Sequence, residues 1–389
     1  MPLGRSGIVP PHEHESSKAV QMRPKLFGPR VGRCKTREEC AVPNIARILT
    51  IDGGGIRGII PATVLRHVEA RLGRPVASAF HMVAGTSTGG IIAVGLTRPD
   101  PLPAARLVEL YAARGREIFN RSLWKSVASL RGLLGERYEH EPLEQVLGEL
   151  LGGAKLSDVS RDLLVPAYEI ERRRPLFFKS WKARGLDLAP GETARGNDFL
   201  LRDVARATSA APTYFEPAPV RSLTGDMHYL IDGGVYANNP GMCALASARR
   251  LYPGADGYFV VSLGTGELKK PIPYARAKDW GEAGWLRSML SVIFDGVSDT
   301  VDYQLAQELP GPGGYVRLQT GLDPTPDTDA PSDEMDDASA GNVAKLQARA
   351  ELLVRQQTPA LARVVQLLSE PMAEACVLAG IVAGTRCGA

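Results

Sequence analysis

Ser87 is the side chain whose surroundings best suit covalent chemistry. It lies in the middle of a Gly-Thr-Ser-Thr-Gly run (85–89) that separates two apolar segments. This order predicts a strand, a sharp turn with the serine at its apex, and a helix that begins at once. Small residues on both sides, Gly85 and Gly89, allow the turn to tighten until the hydroxyl stands clear of the sheet, beside the positive end of the helix. A serine held in this way can act as a nucleophile, although the pentapeptide alone also fits a structural turn.

A glycine-rich run at 52–58 follows an earlier strand-like segment and reads Asp-Gly-Gly-Gly-Ile-Arg-Gly. Gly53, Gly55 and Gly58 match the dinucleotide pattern G-x-G-x-x-G, which makes a nicotinamide cofactor an alternative. Two features disfavour it: Asp52 would place a carboxylate near the pyrophosphate, and the following strand does not end in an acidic residue for the ribose. The other use of such a loop is an oxyanion hole, where several backbone N–H groups converge on a developing negative charge.

No histidine is well placed to activate the serine. The six histidines fall in the N-terminal segment, inside predicted elements, in a charged stretch, or at the far end of a strand: His12, His14, His67, His81, His140 and His228. Asp232 is better placed, because it ends an apolar strand and opens into Gly233 and Gly234, which let the carboxylate project. A Ser–Asp dyad can work if burial raises the proton affinity of the carboxylate. Taken alone, Asp232 also fits a turn aspartate that bonds its own backbone.

Taken together, these segments resemble the patatin-like phospholipase family. The resemblance covers about residues 46–270 and rests on several motifs in the family's order, at 47–58, 85–90, 207–215, 232–240 and 260–266. It implies that Ser87 is the nucleophile and Asp232 the base of a catalytic dyad, with Gly85 and Gly89 shaping the elbow. It also implies an oxyanion hole built from the loop backbone, with the arginine supporting it, at Gly53, Gly54, Gly55, Ile56, Arg57 and Gly58. On its own, Arg57 fits a salt bridge to a local carboxylate equally well.

Strand-like and helical patterns alternate along the chain, which predicts an α/β fold with a largely parallel sheet. The strand-like runs are at 48–51, 80–84, 163–170, 176–181 and 258–263, and the helical patterns are at 62–71, 89–96, 102–119, 142–151 and 343–368. The last helical pattern is broken near Pro359. A doubly wound sheet would bring the three chemistry-bearing segments together at the carboxyl ends of its strands. The resemblance implies a patatin-like, three-layer α/β/α arrangement with a nucleophile elbow.

The composition divides the chain into three parts. Residues 1–44 are rich in proline, arginine and lysine and lack periodicity, which indicates a flexible basic leader. Residues 45–270 form the predicted patatin-like catalytic domain, and residues 271–389 a helical C-terminal extension packed on it. Within the extension, the acidic, proline-rich segment 321–342 is predicted to be an exposed loop or the boundary of a lid. Its carboxylates do not follow the spacing of a calcium-binding EF-hand.

Composition also narrows the partners and the location. The chain has 389 residues and a formal net charge of +3 at pH 7, which is too small to indicate nucleic-acid binding. Its five cysteines are scattered without metal-ligand spacing, so we expect reduced thiols in a cytoplasmic protein, no metal site and no cofactor. The N-terminal segment lacks the apolar core of a secretory signal, and no apolar run reaches the roughly 18 residues that span a bilayer. Contact with a membrane is therefore expected to be peripheral, at the inner surface.

These features predict a phospholipase A-type lipid acyl hydrolase, which cleaves fatty-acyl esters through an acyl-enzyme on the Ser–Asp dyad. The residues themselves indicate ester-cleaving apparatus; phospholipid as the substrate follows from the resemblance alone, and a thioesterase would use the same parts. Two alternatives stay open. One is a bacterial effector phospholipase that a cyclic nucleotide activates, although no motif identifies a nucleotide pocket. The other is a lipid- or nucleotide-binding module without turnover.

Overall fold

The computed structural model describes residues 44–118, 141–267, 271–311, 313–332 and 334–372. Its strands are β1 (Ile45–Ile51), β2 (Met82–Gly85), β3 (Asp162–Glu169), β4 (Arg174–Lys179), β5 (Ala218–Arg221), β6 (Met227–Asp232), β7 (Gly257–Leu263) and β8 (Tyr315–Leu318). Its helices are α1 (Ile59–Leu72), α2 (Thr88–Thr97), α3 (Ala104–Ile118), α4 (Glu141–Leu151), α5 (Ser180–Ala183), α6 (Leu201–Thr208), α7 (Gly234–Ala237), α8 (Gly241–Leu251), α9 (Tyr274–Ala277), α10 (Glu282–Glu308), α11 (Ala340–Gln356) and α12 (Thr358–Ser369).

One mixed sheet runs through this part of the chain, in the order β5-β6-β3-β2-β1-β7-β8, with β4 also paired to β3. The strands β3, β2, β1, β7 and β8 pair in parallel, whereas β4 and β6 run antiparallel to β3, and β5 antiparallel to β6. The central strand β1 is buried along almost its whole length, as a parallel strand covered on both faces must be. Its side chains alternate between two cores, with Leu49 and Ile51 on one face and Ala46 and Ile48 on the other.

Helices cover both faces of the sheet. On one face α1 packs against α3, α11 and α12, and α2 packs on β1, β2 and β3. On the other face α8 packs on β1, β2 and β7, and α10 packs against α7 and α8. The predicted α/β fold, with three layers and a largely parallel central sheet, is therefore confirmed.

The edge of β3 that faces away from β4 is shared by two strands that run in opposite directions. β4 pairs with β3 throughout 164–169. The other edge must therefore take both β2, which pairs as far as Leu164, and β6, which pairs from Ala167 onwards. The carboxyl ends of β2 and β6 consequently face each other across residues 165 and 166 of β3. This end-to-end meeting places the turn after β2 opposite the last residue of β6.

The direction of β6 differs from the sequence-based expectation. In a doubly wound sheet, all three chemistry-bearing segments would follow parallel strands and lie at the carboxyl ends of those strands. Instead β6 is antiparallel to β3 and reaches the same place from the opposite side. Strands β5 and β8 were not expected either, because runs of four residues carry too little periodicity to be recognised.

The chain after residue 270 contributes to the same sheet and core. β8 extends the sheet beside β7, and α11 and α12 are separated at Gln357, where the proline predicted a break. Arg47 of β1 donates guanidinium N–H groups to the carbonyls of Leu368, Glu370 and Pro371, which satisfies acceptors at the end of α12. The predicted division into domains at residue 270 stays a prediction.

α10 is the longest of the described helices, with 27 residues. It begins after Gly281 and crosses α7 and α8 on its way to the edge of the sheet. None of the described helices, α10 included, has the length and apolar character that crossing a membrane requires.

Candidate active site

Ser87 occupies the apex of the turn between β2 and α2. Its backbone φ of 55° and ψ of −125° are rarely adopted by a residue with a side chain, so the turn is strained. The flanking glycines make it possible, because a Cβ on Gly85 would lie 2.0 Å from the carbonyl oxygen of Gly89, and one on Gly89 would lie 2.2 Å from that of Ile51. The hydroxyl therefore projects at the N-terminus of α2, where the helix dipole is positive.

Thr208 ties this elbow to β3. Its hydroxyl accepts the N–H of Ser87 at 2.9 Å and donates to the carbonyl of Pro166 at 2.7 Å. In a strand, the N–H and C=O of one residue point to the same edge. An ordinary residue at position 166 would therefore direct its N–H into the gap between β2 and β6. Proline loses no ladder hydrogen bond at this position. Thr208 lies in the 207–215 motif, but no local pattern in the sequence predicted this bridging role.

Asp232 ends β6 opposite the elbow and is 1% exposed. Its carboxylate accepts the N–H of Gly234 at 2.7 Å, and the Ser87 hydroxyl lies beside it in the same cleft. Burial raises the pKa of Asp232 to about 7, although the Ser87 hydroxyl and the Gly234 N–H both favour the ionised form. A carboxyl group that titrates near neutrality and contacts a serine hydroxyl is able to take its proton.

The three described histidines lie elsewhere. His67 pairs with a glutamate of α11, and His81 accepts a backbone N–H of β1. His228 lies beside Glu169, near the beginning of β6 rather than at its end. None of the three lines the cleft around Ser87. In the described part of the chain, Asp232 is therefore the titratable group in contact with the serine.

Most of the glycine loop is bonded within the protein. Three of its N–H groups donate to backbone carbonyls: Gly53 to Asn238 (3.1 Å), Ile56 to Met335 (2.8 Å) and Arg57 to Gly54 (3.2 Å). Among the described residues, no backbone carbonyl accepts the N–H of Gly54 or Gly55, and both glycines line the cleft beside Ser87. Of the six loop residues in the sequence-based prediction, these two have N–H groups available to a ligand.

Close contacts explain why the loop needs glycine. A Cβ on Gly54 would lie 2.3 Å from Thr265 Oγ1, and that hydroxyl donates to the carbonyl of Gly53 at 2.8 Å. Gly55 has a φ of 59°, and a Cβ there would lie 2.1 Å from the carbonyl oxygen of Met335. The Nε of Arg57 donates to the carbonyl of Gly54 at 3.4 Å, so this side chain braces the loop.

A buried ion pair anchors the base of the loop. Asp52 Oδ2 accepts a guanidinium N–H of Arg317 at 2.6 Å, and Arg317 also donates to Ser262 Oγ at 2.8 Å. The two contacts join β1, β7 and β8 below the glycine loop. The carboxylate of Asp52 is thus directed at β8 and not into the cleft. Removing one partner would leave a buried charge unpaired, which costs about 3–5 kcal/mol.

Ser87 and Asp232 line a narrow cleft whose walls are mainly apolar. The apolar side chains include Ile91, Ile118, Leu143, Phe215, Phe294 and Met335. Asp232 is the one charged side chain among the described residues that line it. The cleft has a volume of about 50 Å³, which is room for a few water molecules. An acyl chain suits these walls.

The acidic segment 321–342 forms part of this wall. The carbonyl of Met335 accepts the N–H of Ile56, and Asp336 beside it is buried. Asn342, at the beginning of α11, donates its side-chain amide to the carbonyl of Asp337 at 2.7 Å. Neither Met335 nor Phe294 of α10 was among the sequence-based candidates, because only the tertiary fold brings these distant segments to the serine.

The chain is similar to known proteins over much of its length. The family model described as patatin-like phospholipase matches residues 49–244, half of the chain. Patatin-like protein 4 of Arabidopsis thaliana is 33% identical over 313 residues, which cover 71% of this chain and 76% of that protein. The cGAMP-activated phospholipase of Pseudomonas aeruginosa is 31% identical over 297 residues, which cover 76% of this chain and 83% of that one. Among solved structures, human GIVD cytosolic phospholipase A2 matches with a TM-score of 0.41 at 12% identity, over 84% of this chain and 60% of that chain.

We expect Asp232→Asn to stabilise the protein, and more so at alkaline pH. The folded pKa of about 7 exceeds the unfolded value of about 4, so the folded state holds the proton more tightly and stability falls as pH rises from about 4 to about 7. The gain in the free energy of unfolding from Asp232→Asn should be about 2–3 kcal/mol larger at pH 8 than at pH 5. Urea unfolding of both chains at the two pH values measures it.

Asp327→Asn is the control, because this aspartate is exposed on the acidic segment. Its replacement should change the free energy of unfolding little at either pH. A gain from Asp232→Asn that is the same at both pH values would contradict a raised pKa in the folded protein.

Proposed function

Because the chain belongs to the patatin-like phospholipase family, hydrolases that act on lipid esters, we propose that it cleaves fatty-acyl esters of phospholipids with a Ser87–Asp232 dyad. The observation that carries the proposal is the position of the Ser87 hydroxyl beside a buried carboxylate whose pKa is raised to about 7. A base of this strength is about half ionised at pH 7, and it binds a proton well enough to take one from an alcohol.

In the first half of the proposed reaction, Ser87 Oγ attacks the ester carbonyl carbon while its proton passes to Asp232. The carbonyl oxygen becomes an oxyanion, which the N–H groups of Gly54 and Gly55 stabilise. Each such donor contributes about 3–4 kcal/mol to the transition state in comparable sites. The intermediate then breaks the bond to the alcohol oxygen, Asp232 returns the proton to that oxygen, and an acyl ester of Ser87 remains.

In the second half, water takes the place of the serine hydroxyl. Asp232 accepts a proton from the water as its oxygen attacks the acyl carbonyl, and the same two N–H groups hold the oxyanion. Collapse breaks the bond to Ser87 Oγ, which regains its proton from Asp232, and the fatty acid leaves. Every step uses one carboxylate as base and then as acid, so no histidine is needed.

The substrate class rests on the cleft and on the family together. Apolar walls suit an acyl chain, and the absence of a charged side chain other than Asp232 among the described lining residues gives no site for a particular headgroup. Phospholipid is proposed because the description of the matching family and the name of one relative both state phospholipase activity. A cytoplasmic location, inferred from the scattered cysteines, belongs to the same proposal.

We expect Ser87→Ala and Asp232→Asn each to lower the turnover of a fatty-acyl ester by about 10⁴-fold. The first removes the nucleophile, and the second leaves its proton without an acceptor. Fatty-acid release from phosphatidylcholine vesicles and hydrolysis of a short-chain p-nitrophenyl ester, both in EDTA, measure the effect.

Ser209→Ala is the matched control, because Ser209 lines the same cleft but donates its hydroxyl to the carbonyl of Ala205. This variant should keep most of the ester turnover. Substantial turnover by folded Ser87→Ala or Asp232→Asn would refute the dyad. No turnover by the wild type, together with no labelling of Ser87 by a fluorophosphonate, would favour a binding module over an enzyme.

A second candidate function is regulation by a cyclic nucleotide. Its support is the similarity to a cGAMP-activated phospholipase over most of both chains. If this chain shares that regulation, a cyclic dinucleotide should bind it and raise phospholipid hydrolysis. A panel of cyclic dinucleotides, each tested by calorimetry and by fatty-acid release, should then contain one active member; failure of the whole panel would remove this candidate and leave the dyad unaffected.

A further inference from the structure

Two consecutive residues at the end of α7, Ala237 and Asn238, contact three separate parts of the candidate active site. The carbonyl of Ala237 accepts the hydroxyl of Thr86, the residue before the candidate nucleophile, at 2.7 Å. The carbonyl of Asn238 accepts the N–H of Gly53 at 3.1 Å. The side-chain amide of Asn238 donates to Ser298 Oγ of α10 at 3.0 Å. The elbow, the glycine loop and α10 are therefore joined at these two residues.

The backbone contact of Asn238 lies directly before the N–H groups that are available to an oxyanion. A peptide group is planar, so the carbonyl of Gly53 and the N–H of Gly54 turn together. Thr265 donates its hydroxyl to that carbonyl, and Asn238 accepts the N–H on the other side of Gly53. These two anchors together fix the direction of the Gly54 N–H.

The amide of Asn238 is packed between the glycine loop and the residues that follow Asp232. Asn238 is 7% exposed. A Cβ on Gly53 would lie 2.3 Å from Asn238 Oδ1 and 3.2 Å from the Cβ of Ser87. A Cβ on Gly234 would lie 3.2 Å from the same amide oxygen. Because these groups are so close, a shift of the amide would displace the glycine loop relative to the serine.

The amide oxygen of Asn238 does not stabilise the fold. Oδ1 is buried and accepts no hydrogen bond from the described residues. A buried acceptor without a donor is less stable than an apolar group of the same shape, and leucine has nearly the shape of asparagine. Groups that lower stability are concentrated at functional sites. The polar contact that the side chain does make, to Ser298, therefore points to a part in function.

We propose that Asn238 is a positioning residue of the oxyanion hole, whose hydrogen bond to Ser298 holds the carbonyl that anchors Gly53. The N–H groups of Gly54 and Gly55 are thereby kept directed at the ester carbonyl oxygen. The inference rests on the proposed acyl hydrolysis. Asn238 acts through the loop and touches no reacting atom, and α10 supports the loop as well as the wall of the cleft.

The test measures the kinetics of a short-chain p-nitrophenyl ester. Asn238→Leu should lower kcat about 10²-fold and change KM less than about threefold, because a displaced loop weakens binding of the transition state only. Ser298→Ala removes the same hydrogen bond from the other side and should lower kcat at least about tenfold. The double variant should be no slower than Asn238→Leu, because both changes remove one interaction.

Fluorophosphonate labelling gives the readout that a merely structural role would not move. The oxyanion hole also binds the phosphoryl oxygen of this probe, so both variants should label Ser87 more slowly, by about the same factors as kcat. Labelling should still reach one probe per chain, and its pH midpoint should stay near 7, because Asp232 is unchanged. The urea midpoint of Asn238→Leu should equal or exceed that of the wild type.

Thr300→Ala is the matched control. Thr300 lies on α10 two residues after Ser298, but it is exposed and donates its hydroxyl to the carbonyl of Gly296 within the helix. This variant should equal the wild type in kcat, in labelling and in urea unfolding.

Three outcomes overturn the inference. The first is wild-type kcat in Asn238→Leu or, if that variant does not fold, in Ser298→Ala. The second is a labelling midpoint that moves away from 7, which would show that Asn238 acts on Asp232 and not on the loop. The third is a urea midpoint and a labelled fraction that fall together, which would show a structural role.

The same measurements separate this inference from the proposed function. A wild type that neither hydrolyses an ester nor labels at Ser87 refutes both. Wild-type turnover that Asn238→Leu and Ser298→Ala retain in full refutes the positioning role alone and leaves the dyad unaffected.

Discussion

The site depends on a carboxylate that is buried where two strands meet end to end. β2 and β6 approach along one edge of β3 from opposite directions, and the gap of two residues between them holds the contact of Ser87 with Asp232. Because Asp232 is buried, its pKa is raised to about 7. Both the proposed basicity of Asp232 and the expected loss of stability at alkaline pH follow from this placement. Active sites commonly lower the stability of the protein in this way.

The other contacts of the site fix the position of Ser87 relative to Asp232. Thr208 bridges the elbow and β3, and the ion pair of Asp52 with Arg317 joins the strands beneath the glycine loop. The carbonyls of Met335 and Asn238 take up other N–H groups of the loop. Contacts with segments far apart in the chain therefore leave the N–H groups of Gly54 and Gly55 available to an oxyanion.

The sequence predicted the local features well, because local rules determine them. The glycines at 85 and 89 predict a strained turn, and the residues before Asp232 are apolar enough to predict a strand. The direction of β6 was not predictable, because its pairing with β3 depends on the tertiary fold and leaves no local pattern in the sequence. The same holds for Phe294 and Met335, whose positions at the cleft depend on how α10 and the acidic segment pack. Which N–H groups of the glycine loop are bonded and which are available likewise depends on carbonyl groups that only the tertiary fold brings to the loop.

The most direct measurement is the rate of fluorophosphonate labelling of Ser87 as a function of pH, in the wild type and in Asp232→Asn. If Asp232 activates the serine, the wild-type rate rises about tenfold per pH unit below neutrality and levels off above a midpoint near 7. Asp232→Asn should then label slowly, with no midpoint in this range. An unchanged profile in Asp232→Asn, or a wild-type midpoint near the ordinary aspartate pKa of about 4, would contradict the account.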